Sequence, residues 1–138
     1  EYNVPYELIL RHLVNSFEEI REKIKEVIDL LEQKYPDQKK GIFMPNDTHA
    51  NVFLNLLIQK YGSLPDTYQI IGFDNSPISK EAVIPISTVG QQISVIADEA
   101  MKVLSEQMNE RKKRRPAPLR EPVHKIIPPI LIRRKTTI

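Results

Sequence analysis

The stretch that decides the fold is Tyr68-Gln69-Ile70-Ile71-Gly72-Phe73-Asp74-Asn75, a short apolar run that stops at two polar residues. A second run with the same kind of ending, Gly41-Ile42-Phe43-Met44-Pro45-Asn46-Asp47, precedes it in the chain. Residues 49–61 between the runs carry apolar side chains at helical spacing, and Gly62 is placed to end that helix. Strand, helix and strand in this order predict a parallel pair with a right-handed crossover, and therefore an α/β fold.

Towards the N-terminus the sequence predicts a further amphipathic helix. Ser16-Phe17-Glu18-Glu19 has the pattern of a capping box, in which the hydroxyl accepts a hydrogen bond from the backbone amide three residues on. Apolar residues then follow at helical spacing: Ile20, Ile24, Val27, Ile28 and Leu31. Pro36 ends this helix because it disfavours a helical conformation in the residue before it.

Towards the C-terminus the sequence predicts three more elements. Residues 84–89 form a third extended segment, and Gly90 marks a place where the backbone can bend. Residues 91–109 read as a long amphipathic helix, with an apolar stripe made of Ile93, Ile96, Ala97, Ala100, Met101, Leu104 and Met108. Residues 126–133 read as a final strand, whose first part is confined to an edge or a bend by Pro128 and Pro129.

The composition limits the chemistry that the chain can perform. Its 138 residues, 41% hydrophobic and 28% charged, suit one globular domain. It has no cysteine, and its three histidines lack metal-ligand spacing, so we expect neither a metal nor another cofactor. No apolar run approaches the roughly 20 residues that cross a bilayer. No secretory signal starts the chain, so we expect a soluble, cytoplasmic protein. The missing initiator Met suggests a fragment of a longer one.

Basic residues are concentrated late in the chain, in residues 111–115 and 133–135. Such clusters can contact nucleic acid. The first cluster is followed by prolines and has no interleaved aromatic residues, which favours a solvated loop over a nucleic-acid surface.

Polar side chains gather where the two central strands end. Asn46 and Asp47 follow the first strand, and Asp74 and Asn75 follow the second. Open parallel sheets bind ligands beyond the carboxyl ends of their strands, and an amide beside a carboxylate can grip a polyol. The structural alternative is that Asn46 and Asp47 cap a helix and that Asp74 and Asn75 only turn the chain. Asp47 and Asp74 could also serve as the acid and base of a small α/β enzyme.

Four separated motifs closely resemble the C-terminal half of the effector domain of lactose/galactose-repressor-type regulators. They are the segments 41–47 and 64–75 around the two polar strand ends, Ile86-Ser87-Thr88-Val89-Gly90-Gln91, and residues 127–137. The resemblance runs from about Pro5 to the end of the chain, with the basic loop as an insertion. It implies the fold of periplasmic sugar-binding proteins, a parallel-sheet three-layer lobe of type I, with the N-terminal lobe largely missing from this sequence.

The resemblance implies the function of a ligand-controlled regulator without enzyme activity. In that family a sugar or another small effector sits in the cleft between the two lobes of the effector domain. The effector shifts the closure of the lobes, which alters the DNA affinity of an N-terminal head domain in a homodimer. The head is of the lactose-repressor or the GntR type, and neither is present in these residues. A periplasmic-type sugar carrier shares the fold and stays an alternative, as does the small α/β enzyme.

Matched position by position, the resemblance implies four effector-binding residues: Arg11, Asn46, Asp74 and Gln91. It divides the chain into residues 1–89, the C-terminal lobe; residues 90–125, the hinge at Gly90, helix and basic loop that pack on the other lobe; and residues 126–138, the returning strand and tail. Because the sheet of the other lobe is missing from the sequence, we expect a neighbouring copy, or a further part of a longer protein, to cover the apolar stripe of the long helix.

Overall fold

The computed structural model describes residues 16–113 and 122–138. The elements in chain order are α1 (Phe17–Lys34), β1 (Lys40–Phe43), α2 (Asp47–Tyr61), β2 (Tyr68–Phe73), α3 (Ile78–Glu81), β3 (Ser87–Gly90), α4 (Ile93–Arg111) and β4 (Ile130–Ile132). Strands β1 to β4 form one sheet in sequence order, β1-β2-β3-β4. The predicted α/β class is therefore confirmed.

The sheet is parallel except at its last strand. Phe43 of β1 pairs with Ile71 of β2, and Phe73 of β2 pairs with Val89 of β3, both in parallel register. Strand β4 returns antiparallel to β3 and pairs Ile130 with Gly90. The carboxyl ends of the three parallel strands consequently meet at one edge of the sheet.

The first two helices form as the sequence predicts and bury one face each. The Ser16 hydroxyl accepts from the Glu19 amide at 3.2 Å, which starts α1. Gly62 ends α2 with a φ of 80°, the left-handed conformation that glycine adopts without strain. Helices α1 and α2 pack together and against β2 around one hydrophobic core: Ile24, Ile28, Leu31, Ala50, Val52, Phe53, Leu54, Leu56, Leu57, Tyr68, Ile70 and Ile86.

The C-terminal half departs from the prediction in three places. The short helix α3 follows the turn after β2 and was not predicted. The predicted strand over residues 126–133 is wrong in its first part, since only Ile130–Ile132 is a strand. Pro128 and Pro129 lack the N–H group that a ladder needs, which explains the shortening. Strand β3 begins at Ser87 rather than at residue 84.

Helix α4 buries none of its 19 residues within the part of the chain that the structure describes. Ile93, Met101, Leu104 and Met108 of its predicted stripe are each about half exposed or more. The segment 122–127 runs beside the helix, joined to it by the ion pair of Lys125 with Glu99. The stripe is thus exposed in the described part of the chain, and the expectation that another surface covers it stays a prediction.

Candidate functional site

Three of the four predicted effector residues lie at the carboxyl edge of the parallel strands. Asn46 follows β1, Asp74 follows β2 directly, and Gln91 follows β3 directly. The Gln91 side-chain amide donates to Asp74 Oδ1 at 3.4 Å, so these two side chains are brought together. Arg11, the fourth residue, lies outside the described residues.

Asp47 ties the loops at this edge together from inside. Its side chain is 1% exposed. Oδ1 accepts from the Thr88 hydroxyl at 2.6 Å, and Oδ2 accepts from the Ser76 amide at 2.7 Å and the Ser76 hydroxyl at 3.0 Å. Because hydrogen bonds to a carboxylate are stronger than neutral ones, one buried group fixes the start of α2 to the loop after β2 and to β3.

The close approach of α2 to β2 depends on Gly72. A Cβ atom at this position would lie 2.3 Å from Asp47 Oδ1 and 3.1 Å from the Asp47 Cα. Only a residue without a side chain lets the buried carboxylate reach across the strand to Thr88 and Ser76.

The loop that carries Asp74 has an unusual backbone. Asp74 has a φ of 98° and Asn75 a φ of 55°, in the region that residues with a side chain seldom adopt. Three consecutive backbone amides of this loop have acceptors: Asp74 donates to the Val89 carbonyl at 2.9 Å, Asn75 to the Thr88 hydroxyl at 3.3 Å and Ser76 to Asp47. The conformation is therefore held by hydrogen bonds to elements on both sides.

The Asp74 side chain itself points to solvent. It is exposed, and the contact with Gln91 is long for a hydrogen bond. A carboxylate that is exposed while its backbone is fixed can accept from one or two hydroxyl groups of a ligand without reorganising. The neighbouring Gln91 amide can both donate and accept.

Asn46 caps helix α2, which is the structural alternative that the sequence left open. Its Oδ1 caps α2 by accepting from the His49 amide at 2.9 Å, and it lies 2.6 Å from His49 Nδ1. Partial burial lowers the pKa of this histidine. The capping uses the oxygen and leaves Nδ2 of the half-buried Asn46 as a donor for a ligand.

The C-terminal tail reaches the same loop from the other side. Arg134 Nη2 donates to Asn75 Oδ1 at 2.7 Å, and Nη1 donates to the Ile86 carbonyl at 2.7 Å and to the Ser79 hydroxyl at 3.2 Å. Thr136 lies deeper, where its hydroxyl accepts from the Ser87 amide and donates to the Ile70 carbonyl.

Sequence reasoning missed the roles of Asp47 and Arg134 in this arrangement. Asp47 was an alternative helix cap or catalytic acid, and Arg134 was part of a basic tail. Both residues act through partners that are distant in sequence: Asp47 is 41 residues from Thr88, and Arg134 is 59 residues from Asn75. The recurrence of polar residues after each strand was the one signal that pointed to this edge.

The other chemistry considered from the sequence finds little support in the geometry. Both Asp47 oxygens are occupied in a buried site, which disfavours the pairing of Asp47 with Asp74 as acid and base. Lys113, in the basic cluster, pairs with Glu110 on the exposed end of α4, while residues 114 and 115 lie outside the described residues. Within residues 16–113 and 122–138, no cluster of side chains suits a metal ion, and no helix is long and apolar enough to span a membrane.

Comparison with solved structures places this architecture among transcription regulators. A LacI family transcriptional regulator from Silicibacter pomeroyi is 25% identical, with a TM-score of 0.65 over 85% of this chain and 38% of its own. A LacI family regulator from Lactobacillus casei with bound sucrose is 21% identical, with a TM-score of 0.63 over 87% of this chain and 40% of its own. The lac repressor dimer bound to operator is 15% identical, with a TM-score of 0.62 over 88% of this chain and 38% of its own.

The chain spans about two fifths of the length of these solved structures. No curated protein matches it. The resemblance to lactose/galactose-repressor-type regulators that the four motifs predict is confirmed at the level of fold, and the sheet is a partial lobe of that fold. Since the match of the periplasmic binding protein-like domain extends over residues 2–137, the chain belongs to that family.

Proposed function

We propose that this chain is the effector-sensing and dimerising part of a bacterial, cytoplasmic transcription regulator. A sugar or sugar phosphate binds at the carboxyl edge of the sheet and controls DNA binding by a separate head domain. The observation that carries the proposal is the exposed carboxylate of Asp74, which stands beside Gln91 on a loop whose backbone is fixed by hydrogen bonds.

The chemistry of this edge suits a polyhydroxylated ligand. Asp74 accepts from hydroxyl groups, Asn46 Nδ2 donates to a ring or hydroxyl oxygen, and Gln91 does either. Sucrose is bound by the Lactobacillus casei regulator of the same fold, and operator DNA is bound by the lac repressor dimer. These two complexes support a small effector and DNA as the partners here.

A sugar carrier of the periplasmic type would use the same loops. The regulator is the preferred function because LacI family regulators from Lactobacillus casei and Silicibacter pomeroyi share this fold. The enzyme alternative is disfavoured by the buried, fully bonded state of Asp47.

The test is a titration of the ¹⁵N-labelled 138-residue chain with sucrose and with glucose, followed by amide NMR signals. We expect shifts at Asn46, Asp74 and Gln91, their loss in Asp74→Ala, and their retention in Asp66→Ala, an exposed aspartate at the opposite edge of the sheet. Failure of both sugars to shift these signals, or equal shifts in Asp74→Ala, would contradict the proposal.

A further inference from the structure

We propose that Arg134 is a positioning residue for the effector-binding loop formed by Asp74 and Asn75. The proposal rests on the proposed function, because it names the residue that sets the geometry of the same site. It is carried by the contacts of one side chain that joins the C-terminal tail to three other segments.

The loop needs an external support because of its backbone. Two consecutive residues with side chains, Asp74 and Asn75, have φ values of 98° and 55°. Such residues persist in this region only where the surroundings hold them in place. Asn and Asp tolerate it better than other residue types, so the sequence permits the conformation without imposing it.

Arg134 supplies that support at the side chain of Asn75. The 2.7 Å hydrogen bond from Nη2 to Asn75 Oδ1 holds the residue that directly follows the proposed ligand-binding carboxylate. The other nitrogen anchors the guanidinium to Ile86 and Ser79, ahead of β3 and in α3. A planar guanidinium can serve these separate acceptors at once, which a lysine ammonium on a flexible stem does less well.

The nature of the partners distinguishes positioning from simple charge pairing. All three acceptors of the half-buried guanidinium are neutral oxygens. The desolvation of this cation is offset by directed hydrogen bonds, so the bond angles and the location of the acceptors matter. The backbone amide of Arg134 is fixed as well, by a 2.8 Å hydrogen bond to the Ser87 hydroxyl.

Thr136 offers a matched control from the same tail. Its hydroxyl bonds the Ser87 amide at 2.9 Å and the Ile70 carbonyl at 2.6 Å, both inside the sheet and neither in the loop. Thr136→Val therefore weakens the attachment of the tail while leaving the support of Asn75 in place.

The experiment compares Arg134→Met, Arg134→Lys and Thr136→Val in the 138-residue chain. Hydrogen exchange at the Asp74 and Asn75 amides, measured without sugar, reports the loop directly. Each exchange rate is first corrected for the global stability of its variant. We then expect the rates at both amides to be about tenfold higher in Arg134→Met than in Thr136→Val. Arg134→Lys should fall between the wild type and Arg134→Met, and it serves alone if Arg134→Met does not fold.

Sucrose and glucose titrations of the same variants add the ligand readout. The dissociation constant should rise by about tenfold in Arg134→Met and by much less in Thr136→Val. Equal amide exchange rates in Arg134→Met and Thr136→Val would overturn the positioning role. If Arg134→Met does not fold, an exchange rate in Arg134→Lys equal to that of the wild type would overturn it instead. If the wild type binds neither sugar, the proposed function fails, whereas the exchange comparison still decides whether Arg134 holds the loop.

Discussion

Gly72 gives the sharpest test of how the site is built. In Gly72→Ala the new Cβ atom would stand 2.3 Å from Asp47 Oδ1, whereas real Cβ contacts are essentially never shorter than 3.0 Å. The oxygen would have to withdraw by about 0.7 Å, the difference between these two distances. The Asp47 backbone, 3.1 Å away, blocks an easy adjustment of the strand.

The cost follows from what Asp47 holds. Overpacking in a tight site costs typically 1–3 kcal/mol. Weakening a charge-assisted hydrogen bond to Thr88 or Ser76 adds part of the roughly 1.5–3 kcal/mol that such a bond contributes. Alanine lowers the conformational entropy of the unfolded chain, which offsets about 0.4–1 kcal/mol of this loss in the free energy of unfolding. We therefore expect Gly72→Ala to lower the free energy of unfolding by about 3 kcal/mol.

Gly41→Ala is the matched control, because Gly41 lies in β1 and a Cβ there would meet nothing within 4 Å. It should be neutral or slightly stabilising. Thermal unfolding by circular dichroism should separate the two variants by roughly 10 °C. In the Asp47→Ala background the cost of Gly72→Ala should shrink by at least about 1 kcal/mol, since the nearest clash is gone. Equal melting temperatures of the two glycine variants would refute the close approach of α2 to β2.

Three further perturbations have defined outcomes. Tyr68→Phe removes the hydrogen bond from the phenol to Glu32, so it should cost about 1 kcal/mol in urea unfolding, unlike the exposed Tyr61→Phe. Burial and then Glu32 raise the pKa of Tyr68, so stability should fall above pH 10 in the wild type and less in Tyr68→Phe. Burial lowers the pKa of His49 in the folded state below its ordinary value of 6.5, so near that pH the unfolded state binds more protons than the folded state. The melting temperature should therefore fall between pH 7 and pH 5.5. In His49→Gln the melting temperature should change less over the same pH range. Met101→Glu, on the exposed stripe of α4, should reduce self-association of the 138-residue chain in sedimentation velocity, and an unchanged distribution would show that this face does not drive it.

The elements that local pattern controls could be predicted from the sequence. The capping residues Ser16 and Asn46 form the predicted hydrogen bonds, and Gly62 ends α2 in the predicted place. These signals act over three or four residues, so neighbouring sequence contains the whole interaction. The parallel pairing of β1 with β2 could also be predicted, because a strand, a helix and a strand in succession leave few topologies open.

The elements that depend on distant partners could not be predicted in the same way. Gly90 illustrates this limit, because from the sequence alone it marked a place where the backbone can bend. The structure shows that a Cβ at Gly90 would lie 2.9 Å from Ile132 Cδ1 and 3.2 Å from the Asn75 Cβ. The residue is small because β4 and the loop approach it, and the expectation that it lies in a hinge stays a prediction.

The proposed function gives the two carboxylates of this edge different tasks, one in stability and one in binding. Asp74 follows β2 directly and Asp47 lies four positions after the end of β1, and their sequence contexts gave no reason to assign them different tasks. Burial decides between them: Asp47 is enclosed and bonded on both oxygens, whereas Asp74 is exposed on a loop that other residues hold. A substitution at Asp47 should therefore act first on folding, and one at Asp74 first on ligand affinity. That division is what a binding site requires, because a carboxylate whose surroundings are already fixed loses little conformational freedom when a ligand arrives.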